Sequence, residues 1–332
     1  MIRVADYIAD FIYKQGVKDV FMLSGGGSIY LDDGIACHDK LNHIEVHHEA
    51  TAPMMAEAYA RLNGNLGVVY VTTGPGGANA ISGLVEAWVD SAPILIISGQ
   101  VQKEYTTYNE GLEKFRTFGT QELNIIEIVK SITKYSAVVN NPNEIKFHLE
   151  KAVYCAKNGR PGPVWLDIPL DVQSAYVYEN TLISYNSGNR VIISNILSST
   201  ITIPIFKLLI ESKKPIIIAG NGVRLSKYEK EFKQLIETLN IPVIFSRLGQ
   251  DLLPYSHNNN FGHAGSKGNK LSNCIIKESD LIIVFGSRLS VPFIQDNLDI
   301  FNGKTKLVVI DIDQAELMKH TIKPIMSIRN LN

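Results

Sequence analysis

Cysteine is scarce in this chain of 332 residues, and its distribution excludes two kinds of site. Cys37, Cys155 and Cys274 are the only three, they lie far apart, and no CxxC pair occurs. This spacing supports neither a disulfide framework nor a zinc site. The cysteines therefore predict no disulfide framework and no zinc site.

Long apolar runs and runs of one charge are also missing. The longest apolar stretches, such as PILIIS at 93–98, are far too short to span a bilayer. The opening MIRVADYIADFIYKQG carries Asp6 and Asp10 inside a helical pattern, which favours an amphipathic helix over a signal peptide. The net charge is −1 and no basic run occurs. We therefore expect a cytoplasmic protein that acts on small molecules, with no membrane and no nucleic-acid partner.

Short β-branched strands alternate with helical stretches in the first half of the chain. Several strands are apolar on both faces, as expected where helices cover both sides of a parallel sheet. This alternation predicts a doubly wound α/β domain. The predicted strands are Asp19–Leu23, His43–His47, Gly67–Thr72, Pro93–Ser98 and Pro163–Ile168, and the predicted helices include Ala50–Leu62, Ala78–Val89 and Pro142–Asn158.

A second α/β pattern follows a stretch rich in Asn, Ser and Gly, Tyr176–Thr200, which is typical of a linker. Its predicted strands are Pro215–Ala219, Pro242–Ser246, Asp280–Phe285 and Lys306–Ile312, with helices at Ser226–Leu239 and Asn269–Glu278. The length and the hydrophobic share of 45% suffice for two cores. We predict two doubly wound α/β domains with mainly parallel sheets, residues 1–175 and 201–332, joined by a linker at 176–200.

Two glycine clusters follow predicted strands of the first domain. The first is Ser24-Gly25-Gly26-Gly27, and the second runs from Thr72 to Asn79 as TTGPGGAN. Glycines at strand ends let a ligand approach the backbone, and open α/β sheets bind ligands at the carboxyl ends of strands. The alternative for each cluster is a tight turn without a ligand. Neither cluster fits GxGxxG, so a dinucleotide site is not supported.

Glu49 follows His47 and His48, where a predicted strand runs into a predicted helix. A carboxylate at a helix start is stabilised by the helix dipole, so a purely structural role is one interpretation. A catalytic role is the other. Adjacent histidines on a strand point to opposite faces, so a metal site is not expected here.

These motifs, in this order, carry a family resemblance over essentially the whole chain. The first half resembles the pyrimidine-binding domain of thiamine-diphosphate enzymes of the acetolactate-synthase type, and the second half resembles their central domain. The matching strings are GVKDVF, SGGGS, HHEATAPMMAEAYAR, VVYVTTGPGGAN, SAPILIISGQV and GRPGPVWLDIPLDVQ, then KKPIIIAGNGV, IPVIFSRLGQD, FGHAGSKGN, SDLIIVFGSRLS and KLVVIDIDQAE.

The resemblance implies roles for individual residues. Glu49 takes the position of the glutamate that bonds N1′ of the aminopyrimidine and favours its imino tautomer, which can remove the C2 proton. The first glycine loop implies backbone contact near the thiazolium, although Ser24 and Leu23 stand where the family usually has Pro and Tyr. Gln121 resembles a glutamine near the reacting carbons. The implied site is catalytic Glu49 and Gln121, with cofactor contacts from Gly25, Gly26, Glu49, Thr72, Gly74, Pro75, Gly76 and Asn79.

The implied cofactor is thiamine diphosphate with Mg²⁺. The family holds the metal and diphosphate with a Gly-Asp-Gly motif in a third, diphosphate-binding domain, and this sequence has no Gly-Asp-Gly. We therefore expect the C-terminal diphosphate-binding domain to be absent from this chain, either by truncation or because a separate chain supplies it. No metal ligand is expected here.

Some central domains of the family bind FAD. A contact of Gly220-Asn221-Gly222 with the phosphate or ribose of FAD is the less favoured interpretation of this loop. An ordinary strand-to-helix turn is the other interpretation. Asp311 and Asp313 resemble the family's strand-end acids, for which a helix cap or turn is favoured over metal binding.

The implied function is a carboligase that decarboxylates a 2-keto acid, pyruvate by default, and transfers the two-carbon unit to a carbonyl acceptor. The acceptor is a second keto acid or a larger keto-sugar, and the lone chain is expected to be inactive. A 2-keto-acid or acyl-CoA decarboxylase, or a non-catalytic nucleotide-binding or assembly module, are the alternatives. The family also implies a homo-oligomer, whose apolar contact candidates are Met54, Met55, Leu84 and Trp88, with core packing as their alternative fate.

Overall fold

A computed structural model of the chain describes residues 1–108, 111–188 and 199–329. The chain divides into two compact units, Met1–Arg190 and Val191–Asn332. The linker expected at 176–200 falls partly outside the described residues, and its start folds onto the first unit. There Tyr176–Val177 pairs with Ile2–Arg3, and Leu182 is buried in a core of the first unit. Ordered structure of the first unit therefore continues beyond residue 175.

The first unit is built on six parallel strands in the order β3-β2-β4-β5-β7-β6. The chain enters at β2, adds β3 on one side and then crosses to β4 on the other, so the winding direction reverses between β2 and β4. The strands are β2 (Asp19–Met22), β3 (Asn42–Glu45), β4 (Gly67–Val71), β5 (Ile94–Gln100), β6 (Tyr135–Val138) and β7 (Val164–Pro169), beside a small antiparallel pair of β1 (Ile2–Arg3) and β8 (Tyr176–Val177).

Helices cover both faces of this sheet, because its central strands are apolar on both sides. In β4, Val68 and Tyr70 lie in one core and Val69 and Val71 in the other. Helices α1, α2 and α7 pack on the first core, and α3, α5 and α6 pack on the second. The helices are α1 (Val4–Lys14), α2 (Ile29–Ala36), α3 (Thr51–Asn63), α4 (Pro75–Asn79), α5 (Ile81–Asp90), α6 (Ile125–Val129), α7 (Ile145–Lys157) and α8 (Leu170–Gln173).

The second unit repeats this plan with six parallel strands in the order β11-β10-β9-β12-β13-β14, and its winding reverses between β9 and β12. The strands are β9 (Pro215–Ala219), β10 (Val243–Phe245), β11 (Asn260–His263), β12 (Leu281–Phe285), β13 (Lys306–Asp311) and β14 (Met326–Arg329). The helices are α9 (Ser199–Glu211), α10 (Gly222–Leu225), α11 (Glu229–Leu239), α12 (Lys270–Glu278), α13 (Val291–Ile294) and α14 (Gln314–Met318).

The predicted fold class is confirmed, since each unit is a parallel sheet between helices. Sequence analysis missed the edge strands β6, β11 and β14 and the short helix α2. The three strands are half-buried or more exposed, so their apolar sequence pattern is weak. Across the described ranges, no helix combines the length and apolar character needed to cross a membrane.

Candidate active site

Two loops meet where the winding of the first sheet reverses. One follows β2 and carries Gly25–Gly27, and the other follows β4 and carries Thr72–Asn79. Strands β2 and β4 are hydrogen-bonded neighbours, so the two loops leave the same edge of the sheet side by side. Ligands of open α/β sheets bind at such a point. The topology therefore brings together both glycine clusters of the sequence analysis.

The Gly25–Gly27 loop is tied to its surroundings by hydrogen bonds. The Gly27 amide donates to Thr72 Oγ1 over 3.1 Å, and the Gly27 carbonyl accepts from Gln173 Nε2 over 2.8 Å. The Gly25 amide donates to Asp32 Oδ2 over 3.1 Å. A Cβ on Gly25 would lie 2.6 Å from the Thr72 side chain, whereas one on Gly26 would meet nothing within 4 Å. Gly25 thus packs tightly, and exposed Gly26 borders open space.

Glu49 lies just before α3 and reaches the second loop. Its Oε2 accepts a hydrogen bond from Asn79 Nδ2 over 2.9 Å. A Cβ on Gly76 would lie 3.2 Å from Glu49 Oε1 and 2.7 Å from Thr72 Cγ2, so the second loop packs closely against this carboxylate and only glycine fits at position 76. The half-buried carboxylate is therefore oriented by the Asn79 amide and lies against the glycine backbone of the second loop.

His47 and His48 are both exposed, and His48 Nδ1 accepts the Ala50 amide at the approach to α3. His48 therefore stabilises the turn that leads into α3. Within residues 1–108, 111–188 and 199–329, no three His, Cys, Asp or Glu side chains lie close enough to hold a metal ion.

Gln121 reaches the same loop through its main chain. Gly74 has a φ of +60°, and a Cβ there would collide with the Gln121 carbonyl oxygen. Gln121 itself has a φ of +60°, a left-handed conformation that is unusual for a residue with a side chain. Its side chain is exposed. The structure thus places Gln121 next to the second loop, with an unusual backbone conformation at the edge of the site.

A buried polar network lies behind Gln121. Asp167 on β7 accepts from Ser98 Oγ over 2.5 Å and from Gln100 Nε2 over 3.0 Å. Gln100 Nε2 also donates to the Leu123 carbonyl over 2.8 Å. Burial raises the pKa of Asp167 to about 7, although both donors oppose this shift. The network connects the sheet to the segment that carries Gln121.

All nine predicted site residues therefore adjoin one another around the ends of β2 and β4, although their roles stay predictions. Sequence analysis missed Asp32, Gln173 and Asp167. Asp32 follows Ser28 by four residues, a spacing that would place both on one helical face. Gln173 lies 146 residues from the glycine it binds, so no local pattern could have paired them.

In the second unit, the Gly220–Gly222 loop packs against the loop that follows β12. The Gly220 amide donates to the Phe285 carbonyl over 2.9 Å, and the Gly222 amide donates to the Gly286 carbonyl over 3.0 Å. A Cβ on Gly222 would lie 2.6 Å from the Gly286 Cα. These glycines allow two backbones to touch, as in an ordinary strand-to-helix turn.

The strand-end acids of the second unit also have structural partners. Asp313 Oδ1 accepts the Ala315 amide over 2.9 Å and caps α14, and Asp311 Oδ1 accepts the Asp313 amide over 2.9 Å. The expected helix cap is therefore present.

Comparison with known protein families agrees with this architecture. Residues 2–128 match the family model described as thiamine pyrophosphate enzyme, N-terminal TPP binding domain, and residues 204–329 match the one described as thiamine pyrophosphate enzyme, central domain. The chain belongs to the thiamine pyrophosphate enzyme family. The resemblance inferred from the motifs is confirmed, and both candidate loops lie within the N-terminal match.

Proteins that are similar to this chain include acetolactate synthase large subunits. The chain is 34% identical to that of Haemophilus influenzae over 326 residues, an alignment that covers 95% of this chain and 54% of the relative. It is 36% identical to that of Lactococcus lactis over 317 residues, which covers 95% of this chain and 53% of the relative. It is 32% identical over 321 residues to the chloroplastic acetolactate synthase 2 of Nicotiana tabacum, covering 95% of this chain and 46% of that protein. The chain spans about half the length of the curated relatives it matches.

Proposed function

We propose that this chain supplies the pyrimidine-binding half of the active site in a thiamine-diphosphate-dependent carboligase of the acetolactate-synthase type. The observation that carries the proposal is the Glu49 carboxylate, which Asn79 orients against the glycine backbone of the second loop. Pyruvate is the proposed donor and a second carbonyl compound the acceptor. The family membership and the acetolactate synthase relatives support this proposal.

The residues present fit the aminopyrimidine portion of the cofactor. A flat ring needs an acidic partner at its edge and a surface without side chains to lie against. Glu49 offers the first. The second loop offers the other, because Gly74 and Gly76 carry no side chain and no Cβ fits at either position. Thiamine diphosphate and Mg²⁺ are thus the proposed cofactors, and we do not assign Mg²⁺ ligands within this chain.

Each residue has a proposed task once the cofactor is bound. The cofactor supplies an electron sink for decarboxylation of a 2-keto acid. Glu49 holds or shares a proton at the pyrimidine N1′, and Asn79 keeps its carboxylate in the orientation for that bond. Thr72 fixes the glycine loop, and Gly26 offers a backbone donor to a substrate oxygen. Gln121 is proposed to contact the reacting carbons.

The direct test uses the natural assembly purified through this chain. With thiamine diphosphate, Mg²⁺ and ¹³C-labelled pyruvate, we expect release of labelled CO₂ and transfer of the remaining two carbons to a carbonyl acceptor, followed by NMR. Trials with a second keto acid and with a keto-sugar distinguish the two acceptor classes. Release of CO₂ with acetaldehyde as the sole other product would instead identify a simple decarboxylase.

The 332-residue chain by itself is expected to bind thiamine diphosphate weakly. Its pyrimidine site offers one carboxylate, a few backbone groups and modest apolar burial, which must offset an association cost of several kcal/mol. We expect a dissociation constant on the order of 100 μM or weaker. Titration calorimetry with thiamine diphosphate and Mg²⁺ measures it. A value of about 1 μM would show that this chain holds the diphosphate as well.

The first unit also carries an apolar face on α3 and α5, formed by Met54, Val85, Trp88 and Val89, which are all about 40% exposed. Leu84, expected as a contact candidate, is fully buried in the core, and Met55 is largely covered. Large apolar side chains exposed on two helices that pack together are typical of a protein interface. We propose that this face, defined as the α3–α5 face, forms the contact of a homo-oligomer.

Trp88→Glu is expected to break this association, because two charges would face each other across a symmetric contact. Sedimentation velocity at micromolar concentration should show at least a dimer for the parent chain and a shift toward the monomer for the variant. Ile210→Glu, on an exposed apolar residue of the second unit, is the matched control and should leave sedimentation unchanged. Equal sedimentation of parent and Trp88→Glu would exclude the α3–α5 face.

A further inference from the structure

The Gly25–Gly27 loop offers one free backbone donor. The Gly25 amide is bonded to Asp32 and the Gly27 amide to Thr72 Oγ1. Among the residues that the structure describes, nothing accepts a hydrogen bond from the Gly26 amide. Gly26 is also the exposed member of the loop. The loop therefore has one amide available for a ligand, and its neighbours set the direction of that amide.

Asp32 stabilises this loop by accepting hydrogen bonds. Its Oδ2 accepts from the Gly25 amide over 3.1 Å and from Ser28 Oγ over 2.9 Å, and the Ser28 amide in turn donates to the Gly25 carbonyl over 3.1 Å. Ser28 is fully buried. A carboxylate that accepts two such donors forms stronger hydrogen bonds than a neutral acceptor would. The charge of Asp32 thus stabilises the first turn of the loop.

The other oxygen of Asp32 has no such support. Oδ1 is buried and has no hydrogen-bond partner in the described part of the chain, and the same holds for the nearby Tyr70 hydroxyl. Burial raises the pKa of Asp32 to about 6, and the hydrogen bonds from Gly25 and Ser28 oppose that shift. The two loop donors are therefore the main groups that stabilise the charged form, and the charge and the loop depend on each other.

We propose that Asp32 is a positioning residue whose carboxylate fixes the Gly25–Gly27 loop and so directs the Gly26 amide into the candidate active site. The Asp32 pKa is raised, so the charge is present above a pH of about 6 and is lost as the pH falls through that value. The amide is then expected to lose its fixed direction. This inference rests on the proposed function only in calling the region an active site.

Other charged groups surround Asp32 without replacing its role. Glu45 on β3 raises the Asp32 pKa slightly by its charge and has His43 at 3.9 Å. Two other charged groups on neighbouring elements form ion pairs. Arg3 of β1 pairs with Asp6 and Asp33, and Asp171 of α8 pairs with Lys103. None of these pairs bonds the loop glycines, which leaves Asp32 as the acid that holds them.

The test follows the Gly25 and Gly26 amide resonances of the ¹⁵N-glycine-labelled chain between pH 5 and pH 8, without cofactor or substrate. In the parent, both resonances should move together with one midpoint near pH 6. Asp32→Asn should abolish this movement, because the side chain can no longer ionise. Asp33→Asn is the matched control, since Asp33 is the adjacent acid but is exposed and bonds Arg3 instead of the loop. It should leave both titrations unchanged.

Ser28→Ala provides an independent test of the proposal if Asp32→Asn does not fold. Removal of this donor takes one hydrogen bond from the charged form, so the midpoint should rise. Persistence of the titration in Asp32→Asn, movement of Gly25 without Gly26, or an unchanged midpoint in Ser28→Ala would each overturn the proposal. Because no cofactor enters the measurement, these outcomes are readable even if the proposed carboligase activity is wrong.

Discussion

Glu49→Gln is expected to slow hydrogen–deuterium exchange at C2 of bound thiamine diphosphate by about 10²- to 10⁴-fold, the range for loss of a general acid–base group. Glutamine keeps the size of the side chain and can still meet Asn79, but it cannot hold or share a proton. The measurement is quenched-flow exchange followed by proton NMR, on the natural assembly that binds the cofactor. The fold should survive, because Glu49 is half-buried and bonds only Asn79 among the described side chains.

Glu45→Gln is the matched control for this experiment. Glu45 is an exposed acid at the end of β3, four residues before Glu49, and its Oε1 lies 3.9 Å from His43 Nδ1. Its variant should exchange at the parental rate. Parental exchange in Glu49→Gln as well would remove Glu49 from the mechanism and leave the helix-start interpretation for this residue.

Asp167→Asn is expected to abolish a large pH dependence in the stability of the first unit. In the folded chain the Asp167 pKa is about 7, whereas an unfolded aspartate titrates near 4. The folded state therefore binds the proton more strongly, and the stability from this group is full at low pH and is lost as the pH rises toward 7. Between pH 5 and pH 8 the free energy of unfolding should fall by about 3 kcal/mol through this residue.

In the Asp167→Asn variant the free energy of unfolding should fall correspondingly less between pH 5 and pH 8, because the asparagine amide has no charge to desolvate. Urea unfolding followed by tryptophan fluorescence measures the right unit, since the only two tryptophans, Trp88 and Trp165, both lie there. Asp171→Asn is the control, as this nearby acid is partly exposed and pairs with Lys103. The idea fails if parent and Asp167→Asn lose the same stability between the two pH values.

The sequence predicted the parts of the candidate site that depend on local chemistry. Gly74 and Gly76 follow a strand and open a helix, and this placement alone indicated a loop with a bare backbone. Glu49 was found by its position before α3. In contrast, the Gly27–Gln173 and Gln100–Asp167 bonds join distant segments, so they depend on how the strands are ordered in the sheet.

The same reason explains which elements of the fold were missed. The central strands β4 and β12 are almost wholly buried and gave continuous apolar runs. The edge strands β6 and β14 are only half covered and carry mixed residues such as YSAV and MSIR, which no period distinguishes from a loop. Pairing with a neighbour, rather than composition, makes them strands.

Gln121 illustrates how stability and chemistry can favour different residues at one position. Its left-handed backbone would cost about 1 kcal/mol less with glycine, and asparagine adopts this conformation more readily than most other residues. Selection for resistance to proteolysis alone would therefore enrich glycine at position 121. If selection for turnover retained glutamine at this position, the Gln121 side chain would be required for activity.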